Sequence, residues 1–314
     1  LRERVVRRSR ESLDDLGEPT RDARAERAAW ALRVLRQRLG EESFWTLVGR
    51  FAAEDAQRVV TVEDFRRTAL DLLGVDVGPE LAQWSGRRTV PVLETRFQRR
   101  SVEGVGESLG VVVRQAQPGP VFRVDLPVVV HFEDGSTAAE TLPLTRREEL
   151  LIVPIDQRVL DVSIDPEGLL LVDLDVAKVD GSWLAQAALG RTSVERARAL
   201  PELERVSEVD ERARQALIQL LLQSPEPSLR ELCTRSMRFA GPACSIALQR
   251  SAADDPSPIV RRAAVHALMQ LYAQGIWTPT ADEVERLLTL RQRELSPGVL
   301  EELDELFATI PPVQ

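Results

Sequence analysis

Few side chains in this sequence of 314 residues could coordinate a metal or carry a proton in a reaction. Its two histidines, His131 and His266, lie far apart along the chain. Catalytic zinc sites use clustered ligands, typically two histidines one helical turn apart, and the sequence contains no H-E-x-x-H segment. We therefore expect structural or surface roles for both histidines and assign no metal-binding or catalytic residues.

The other candidates for chemistry have simpler explanations. Cys233 and Cys244 lie in helical sequence without a C-x-x-C arrangement, so we expect free, buried thiols in a reducing compartment rather than a redox pair. Asp165, Asp254 and Asp255 could bind a cation, but acids beside prolines at turns commonly cap the backbone. Neither a glycine-rich phosphate loop with lysine nor a G-x-S-x-G nucleophile elbow is present, and we assign no cofactor-binding residues.

Composition limits the classes of partner. The formal net charge of −9 argues against a general nucleic-acid binder, because binding to phosphates needs a basic surface. No apolar run approaches the roughly 20 residues that span a bilayer, and segment 1–17 is charged without the apolar core of a signal peptide. We expect a cytoplasmic protein that binds neither membranes nor nucleic acids.

Two smaller features of the composition also carry expectations. The sequence begins with Leu1 rather than methionine, so we expect a fragment or a processed product. Lys178 is the only lysine among 41 basic residues, which we attribute to a compositional bias of the source genome.

Helical spacing dominates residues 24–87. Apolar residues recur at steps of three and four in a first helix that we expect to end at Gly40, and a second helix is predicted over residues 41–54. The predicted core positions of these two helices are Ala29, Leu32, Leu35, Leu39, Phe44, Trp45, Val48 and Phe51. We expect Trp30, Trp45 and Trp84 to be core anchors rather than a ligand-stacking set.

A third helix is predicted to begin at a capping box, in which the Thr61 side chain accepts the backbone N–H of Asp64. It would end at Gly74. Its predicted core positions are Phe65, Ala69 and Leu72, and a last short helix is predicted over residues 79–84.

The period changes to two after Val90. Seven short runs rich in branched residues extend to about Leu174 and are separated by Pro-Gly, Asp-Gly and Asp-Pro turns. Glu133-Asp-Gly-Ser136 predicts a hairpin, because Asp-Gly favours the turn whose twist matches its flanking strands. These runs predict a small β-sandwich.

Helical spacing returns after Asp180, with an internal repeat. The prolines Pro227, Pro258 and Pro297 each stand two residues before an apolar residue, which are Leu229, Val260 and Val299. The eighth residue beyond each of those is again large and apolar: Met237, Leu268 and Phe307. Proline suits the first helical turn, and an eight-residue step keeps both apolar groups on one face, so paired helices resembling HEAT repeats are predicted.

The predicted fold class is multidomain, with α and β parts. A helical segment (1–89) is followed by a small β-sandwich (90–175) and a HEAT-like helical array (176–314). Four motifs accompany this order: Ala28-Ala-Trp-Ala-Leu-Arg-Val-Leu-Arg36, Leu39-Gly-Glu-Glu-Ser-Phe-Trp45, Thr61-Val-Glu-Asp-Phe-Arg-Arg67, and Gln83-Trp84 followed by Val90-Pro-Val-Leu93. Together they resemble the C-terminal portion of the aminopeptidase N-like (gluzincin) zinc metallopeptidases, with residues 1–89 resembling the C-terminal half of the catalytic domain.

The resemblance carries implications for activity. In that family a tyrosine of a Tyr-x-Lys-Gly motif donates a hydrogen bond to the oxyanion, and Ala25 stands at the matching position. Alanine has no donor, and losing one typically costs about 2.7–4 kcal/mol of transition-state stabilisation. The family's zinc ligands would lie N-terminal to this region, so zinc is expected only if an N-terminal half carries H-E-x-x-H.

The resemblance leaves two functions open. One is a non-catalytic portion that shapes or gates the peptide chamber of a catalytic half not present in this chain. The alternative is a catalytically inactive relative that acts as a protein-interaction scaffold, as repeat surfaces commonly do. Either a peptide substrate or a protein partner would bind through the helical array. We expect residues 1–314 alone to be inactive.

Overall fold

The computed structural model describes residues 21–55, 59–85, 87, 89–178, 180–237 and 241–310. Segment 1–17, considered above for its charges, lies outside the described residues. The chain groups into two compact units, and each is described by itself. The first comprises Leu1–Val128, Ala139–Asp156 and Gly168–Ala177, and the second comprises Val129–Ala138, Gln157–Glu167 and Lys178–Gln314.

The predicted fold class is confirmed: a helical segment is followed by a β region of two sheets and then by a helical array. The helical segment contains α1 (Arg21–Leu39), α2 (Glu41–Asp55), α3 (Val62–Leu73) and α4 (Gly78–Ser85). The strands are β1 (Val92–Val102), β2 (Gly106–Gln115), β3 (Val124–Phe132), β4 (Thr137–Leu144), β5 (Glu148–Pro154), β6 (Val159–Ile164) and β7 (Asp173–Val176).

Nine helices follow among the described residues of the array. They are α5 (Asp180–Leu189), α6 (Ser193–Ala197), α7 (Leu200–Ser207), α8 (Glu211–Gln223), α9 (Pro227–Ser236), α10 (Pro242–Asp254), α11 (Pro258–Ala273), α12 (Ala281–Arg293) and α13 (Pro297–Thr309). The predicted three-part division at residues 89 and 175 stays a prediction.

The predicted helix ends of the first unit are confirmed. Helix α1 stops before Gly40, whose φ of 78° is a left-handed conformation that favours glycine. Helix α3 begins at the capping box: Thr61 Oγ1 accepts the Asp64 N–H at 3.2 Å, and the Asp64 carboxylate accepts the Thr61 N–H at 2.9 Å. It ends at Gly74, again with positive φ.

The buried faces of these helices differ from the prediction at several positions. Helix α1 buries Trp30, Ala31 and Leu35 where it packs on α2 and α4, whereas Ala29 and Leu32 are exposed. Apolar residues spaced three and four apart can lie on either of two overlapping faces of α1. The buried face is the one that contains the bulky Trp30. In α3, Phe65 and Ala69 are buried as predicted, but Leu72 in the last turn is exposed.

Trp45 is not a core anchor, although Trp30 and Trp84 are. Its side chain is 54% exposed, with the Arg36 guanidinium 5.4 Å from the ring centroid and the indole N–H donating to Glu41 at 3.0 Å. Leu47 is fully buried in its place. The Trp45 ring tolerates this exposed position because its N–H group is hydrogen-bonded to Glu41.

Two sheets make up the β region. One has four strands in the order β5–β2–β1–β7, in which β1 is antiparallel to β2 and parallel to β7. The other has the order β4–β3–β6. The predicted hairpin joins β3 to β4, where Gly135 has φ of 84° and the Phe132 N–H donates to the Ser136 carbonyl at 3.0 Å. The last of the seven predicted strands, over residues 168–174, is wrong in part, because β7 begins only at Asp173.

The repeat register in the array is largely confirmed. The three prolines begin α9, α11 and α13, and α11 packs on α9, α10 and α13. Met237 and Leu268 are fully buried, but Phe307 is only partly buried, because Leu303 and Leu306 occupy the buried face of α13.

Candidate functional site

Six polar side chains form a buried network inside the second unit. Strands and helices distant in sequence bring them together: His131 lies on β3, Asp161 and Ser163 on β6, Lys178 after β7, Gln186 on α5 and Glu195 on α6. Residues two apart on a strand point to the same face, which places Asp161 and Ser163 side by side. His131 lies far from His266 in sequence and no ligand cluster was expected around it; this is corrected, because Asp161 and Glu195 lie beside it.

Glu195 is the acceptor at the centre of the network. Its Oε1 lies 2.9 Å from His131 Nε2 and also accepts the Ser163 hydroxyl, while Oε2 accepts the Arg191 N–H at 2.8 Å. Burial raises the pKa of Glu195, but these hydrogen bonds outweigh burial, and the pKa is lowered overall. The Glu195 carboxylate therefore stays charged inside the protein.

Lys178 and Asp161 form a buried ion pair in the same network. Lys178 Nζ donates to Asp161 Oδ1 at 2.6 Å, and their side chains are 2% and 0% exposed. The ammonium also contacts Gln186 and lies 4.9 Å from the ring centroid of Trp183. Burial raises the pKa of Asp161 and lowers that of Lys178, so the pair depends on mutual attraction to stay ionised.

The donor types of this cluster would also suit a metal ion. One ligand atom each of His131, Asp161 and Glu195 lies within 4.8 Å of the others. Two other groups of the chain contact these carboxylates. The Lys178 ammonium supplies positive charge at Asp161, and the Ser163 hydroxyl is hydrogen-bonded to both carboxylates. The cluster thus combines three possible metal ligands with a buried Lys178–Asp161 ion pair.

The acids that the sequence singled out as possible cation ligands have arginine partners. Asp165, which adopts a positive φ of 47°, is fully buried, and its carboxylate accepts Arg198 at 3.0 Å. Asp255 accepts both Nε and Nη2 of Arg230, at 2.7 and 2.9 Å. Asp254 is exposed and lies 3.5 Å from Arg293. The cation at each position is thus a guanidinium of the same chain.

The Arg230–Asp255 pair recurs one repeat later as Arg261–Glu294. Each arginine is the third residue after its repeat proline, and each acid ends the first helix of the next repeat. Arg261 donates to Glu294 at 2.7 and 2.8 Å and also to the carbonyl of Asp255. These bidentate pairs tie consecutive repeats together. The Arg261 side chain is 17% exposed.

Low pH should weaken the Arg261–Glu294 ion pair. The hydrogen bonds from Arg261 lower the pKa of Glu294 from 4.5 to about 2, so its stabilising contribution is complete above pH 4.5 and is lost as the pH falls towards 2. We expect Glu294→Gln to cost about 1.5–3 kcal/mol at pH 7 and to reduce the loss of stability between pH 4.5 and 2. Urea unfolding across this pH range measures both effects.

Glu301→Gln provides the matched control, because Glu301 is an exposed carboxylate on α13. It should change the free energy of unfolding at pH 7 by no more than about 0.5 kcal/mol. Equal acid sensitivity of wild type and Glu294→Gln would contradict the assignment.

A groove of about 610 Å³ crosses the second helices of the three repeats. Ile259, Ala263 and Ala267 recur every fourth residue along α11 and give it an apolar row in which the alanines leave space. Its polar lining consists of Glu231 and Arg235 from α9, Arg262, His266 and Gln270 from α11, and Glu302 from α13.

His266 belongs to this groove and is the other histidine of the chain. Its Nδ1 lies 3.1 Å from Glu302 and its Nε2 lies 2.9 Å from Gln270. Its side chain is about half exposed. The structural or surface role expected for this histidine stays a prediction.

The thiols and the Ala25 position complete the predicted site residues. Cys233 and Cys244 are buried outside any disulfide, and burial raises their thiol pKa values to about 12 and about 11, so both stay protonated at neutral pH. Ala25 lies within α1, but its side chain is outside the described residues.

Sequence reasoning missed the network and the inter-repeat pairs. Lys178 carried a signal, because a chain that otherwise uses only arginine retains one lysine where a compact ammonium fits. The recurrence of proline, any residue, apolar residue, arginine at 227–230 and 258–261 was the signal for the pairs.

Comparisons with known proteins agree with this architecture. Residues 214–302 match the family model of HEAT repeats. Among solved structures, the chain is similar to aminopeptidase A of Legionella pneumophila in complex with aspartic acid, with a TM-score of 0.63 and 13% identity. The similarity covers 90% of this chain and 40% of that chain. No curated protein matches the chain.

These findings give the chain an aminopeptidase-like fold that includes HEAT repeats. It spans less than half the length of the aminopeptidase that it matches. Among the described residues, the helices are too short or too polar to cross a bilayer.

Proposed function

We propose that the chain is a non-catalytic portion of an aminopeptidase-like protein, and that it shapes or gates a peptide chamber whose catalytic residues lie on another portion. The observation that carries the proposal is the similarity in fold over 90% of this chain to an aminopeptidase. HEAT repeats at residues 214–302 support it, because stacked repeats form extended surfaces that bind other chains. In this proposal zinc belongs to the catalytic portion.

Residues of the chain support a non-catalytic role. The sequence has no H-E-x-x-H segment, and alanine stands at position 25, where the family resemblance expects the oxyanion-binding tyrosine. In the buried cluster of His131, Asp161 and Glu195, Lys178 forms an ion pair with Asp161.

Exposed apolar side chains on the helical segment support contact between this chain and a catalytic portion. Trp45, Val62 and Leu70 are each about half exposed on α2 and α3. Exposed apolar side chains are favourable positions for contact with another protein surface. A catalytic portion that covered them would remove this apolar area from water.

We expect no hydrolysis of aminoacyl-aminomethylcoumarin substrates by purified residues 1–314 and no bound zinc by elemental analysis. The longest natural polypeptide that contains this sequence should bind zinc and hydrolyse the same substrates if the chain serves a catalytic portion. Both assays use matched molar amounts of the two polypeptides.

Two results would change the assignment. Chelator-sensitive hydrolysis by residues 1–314 alone would overturn the non-catalytic role. Absence of both zinc and hydrolysis from the longest polypeptide would reject a role in a peptide chamber. The protein-interaction scaffold would then be the remaining function.

The scaffold is the second candidate function, and the groove on the helical array favours it. The groove lies on consecutive second helices of the repeats and presents both apolar and charged side chains. In this role the chain binds a protein partner through the array without any catalytic portion.

A further inference from the structure

We propose that the groove across α9, α11 and α13 binds an acidic, amphipathic helical segment of a partner protein. The inference rests on the second of the two proposed functions and names the chemistry of its partner. Three features of the groove carry it: the charge that a ligand meets, the geometry of Arg262, and the apolar row of α11.

The accessible charge of the groove is positive. The side chains of Arg235 and Arg262 are 67% and 53% exposed, whereas those of Glu231 and Glu302 are 24% and 11% exposed. Glu231 is also engaged by Arg235 at 2.6 Å. A ligand therefore meets two guanidinium groups before it meets a carboxylate, although the formal charges of these four residues cancel.

Arg262 is held in an orientation that suits a carboxylate. Its Nε donates to Glu302 at 3.2 Å, and among the described residues its two terminal nitrogens have no hydrogen-bond partner. Glu302 also accepts from His266, so the acid fixes two groove side chains at once. A guanidinium fixed through Nε presents its terminal N–H groups as a fork that matches a carboxylate.

The apolar row specifies the rest of the partner. Ile259 is 61% exposed at one end of the row, Ala263 is half-buried, and Ala267 lines the floor of the groove at 3% exposure. The row rises about 12 Å along the helix axis, which is just over two turns of a second helix. The groove volume of about 610 Å³ lies within the roughly 300–1,000 Å³ of typical binding sites. An apolar stripe flanked by acids would place its large side chains over the alanines.

Fluorescence anisotropy with labelled peptides tests the proposal. The probe is an acetylated helical peptide of about four turns with leucines on one face and glutamates beside them. Two comparison peptides carry lysine in place of every glutamate, or serine in place of every leucine. We expect the acidic amphipathic peptide to bind at least about tenfold more tightly than either, and less tightly as the salt concentration rises.

Variants locate the binding. Arg235→Gln with Arg262→Gln should weaken binding at least about tenfold, and Ile259→Ser should weaken it separately. Arg286→Gln is the matched control, because Arg286 is an exposed arginine on α12 outside the groove. Thermal unfolding of each variant verifies that the fold is retained, and Ile259→Ser keeps the test valid if the double variant unfolds.

Three outcomes overturn the proposal. They are no binding of the acidic peptide, equal weakening by Arg286→Gln, and tighter binding of a labelled oligonucleotide than of the peptide. None of these bears on peptide hydrolysis, which tests the chamber separately.

Discussion

Replacing Lys178 with methionine should lower the free energy of unfolding by about 3–5 kcal/mol. Methionine keeps the length of the side chain but removes the charge that compensates Asp161, which is fully buried. Breaking a buried pair by removing one partner leaves an uncompensated charge in a medium of low polarity. Urea denaturation followed by circular dichroism measures the change.

A second variant separates pairing from packing. Lys178→Met combined with Asp161→Leu should be more stable than Lys178→Met alone, because apolar residues of similar volume often replace a buried pair without loss. Arg205→Met is the matched surface control, since Arg205 is 61% exposed beside Glu202, and it should cost less than about 1 kcal/mol. A loss no larger than that of the control would show that Asp161 is not buried as an ion.

Replacing Leu268 with alanine should cost about 2–5 kcal/mol. Leu268 is fully buried in α11, within the core that joins the repeats. The substitution removes apolar contacts and leaves a cavity that the packed helices can only partly close. Chemical denaturation of the two proteins gives the difference.

Leu295 offers the contrasting position in the same array. It is 91% exposed, so Leu295→Ala should change stability by no more than about 0.5 kcal/mol. Similar effects of the two substitutions would mean that the repeat register has been assigned to the wrong face.

Local signals explain how much of the fold was predictable. The capping box at Thr61, the Asp-Gly hairpin and the repeat prolines each depend on backbone chemistry within a few residues, and the structure confirms all three. The failures at Trp45 and Phe307 have another origin. Both lie on amphipathic helices, where the neighbouring elements decide which of two adjacent positions turns inwards.

The candidate sites depend on contacts that no local pattern encodes. His131 and Glu195 are separated by 64 residues in sequence but lie 2.9 Å apart. Glu302 on α13 accepts a hydrogen bond from Arg262 on α11. Such pairs follow only from the packing of whole elements, so the sequence indicated the residue types without indicating their partners.

The placement of Lys178 has a consequence for chemical modification. Since no other lysine exists in the chain, the sole ε-amine is shielded from solvent at 2% exposure. Acetyl, methyl or ubiquitin groups added to lysine would have no target while the second unit stays folded. Opening of that unit would uncover the amine, so acylation at this single position would report on its loss of structure.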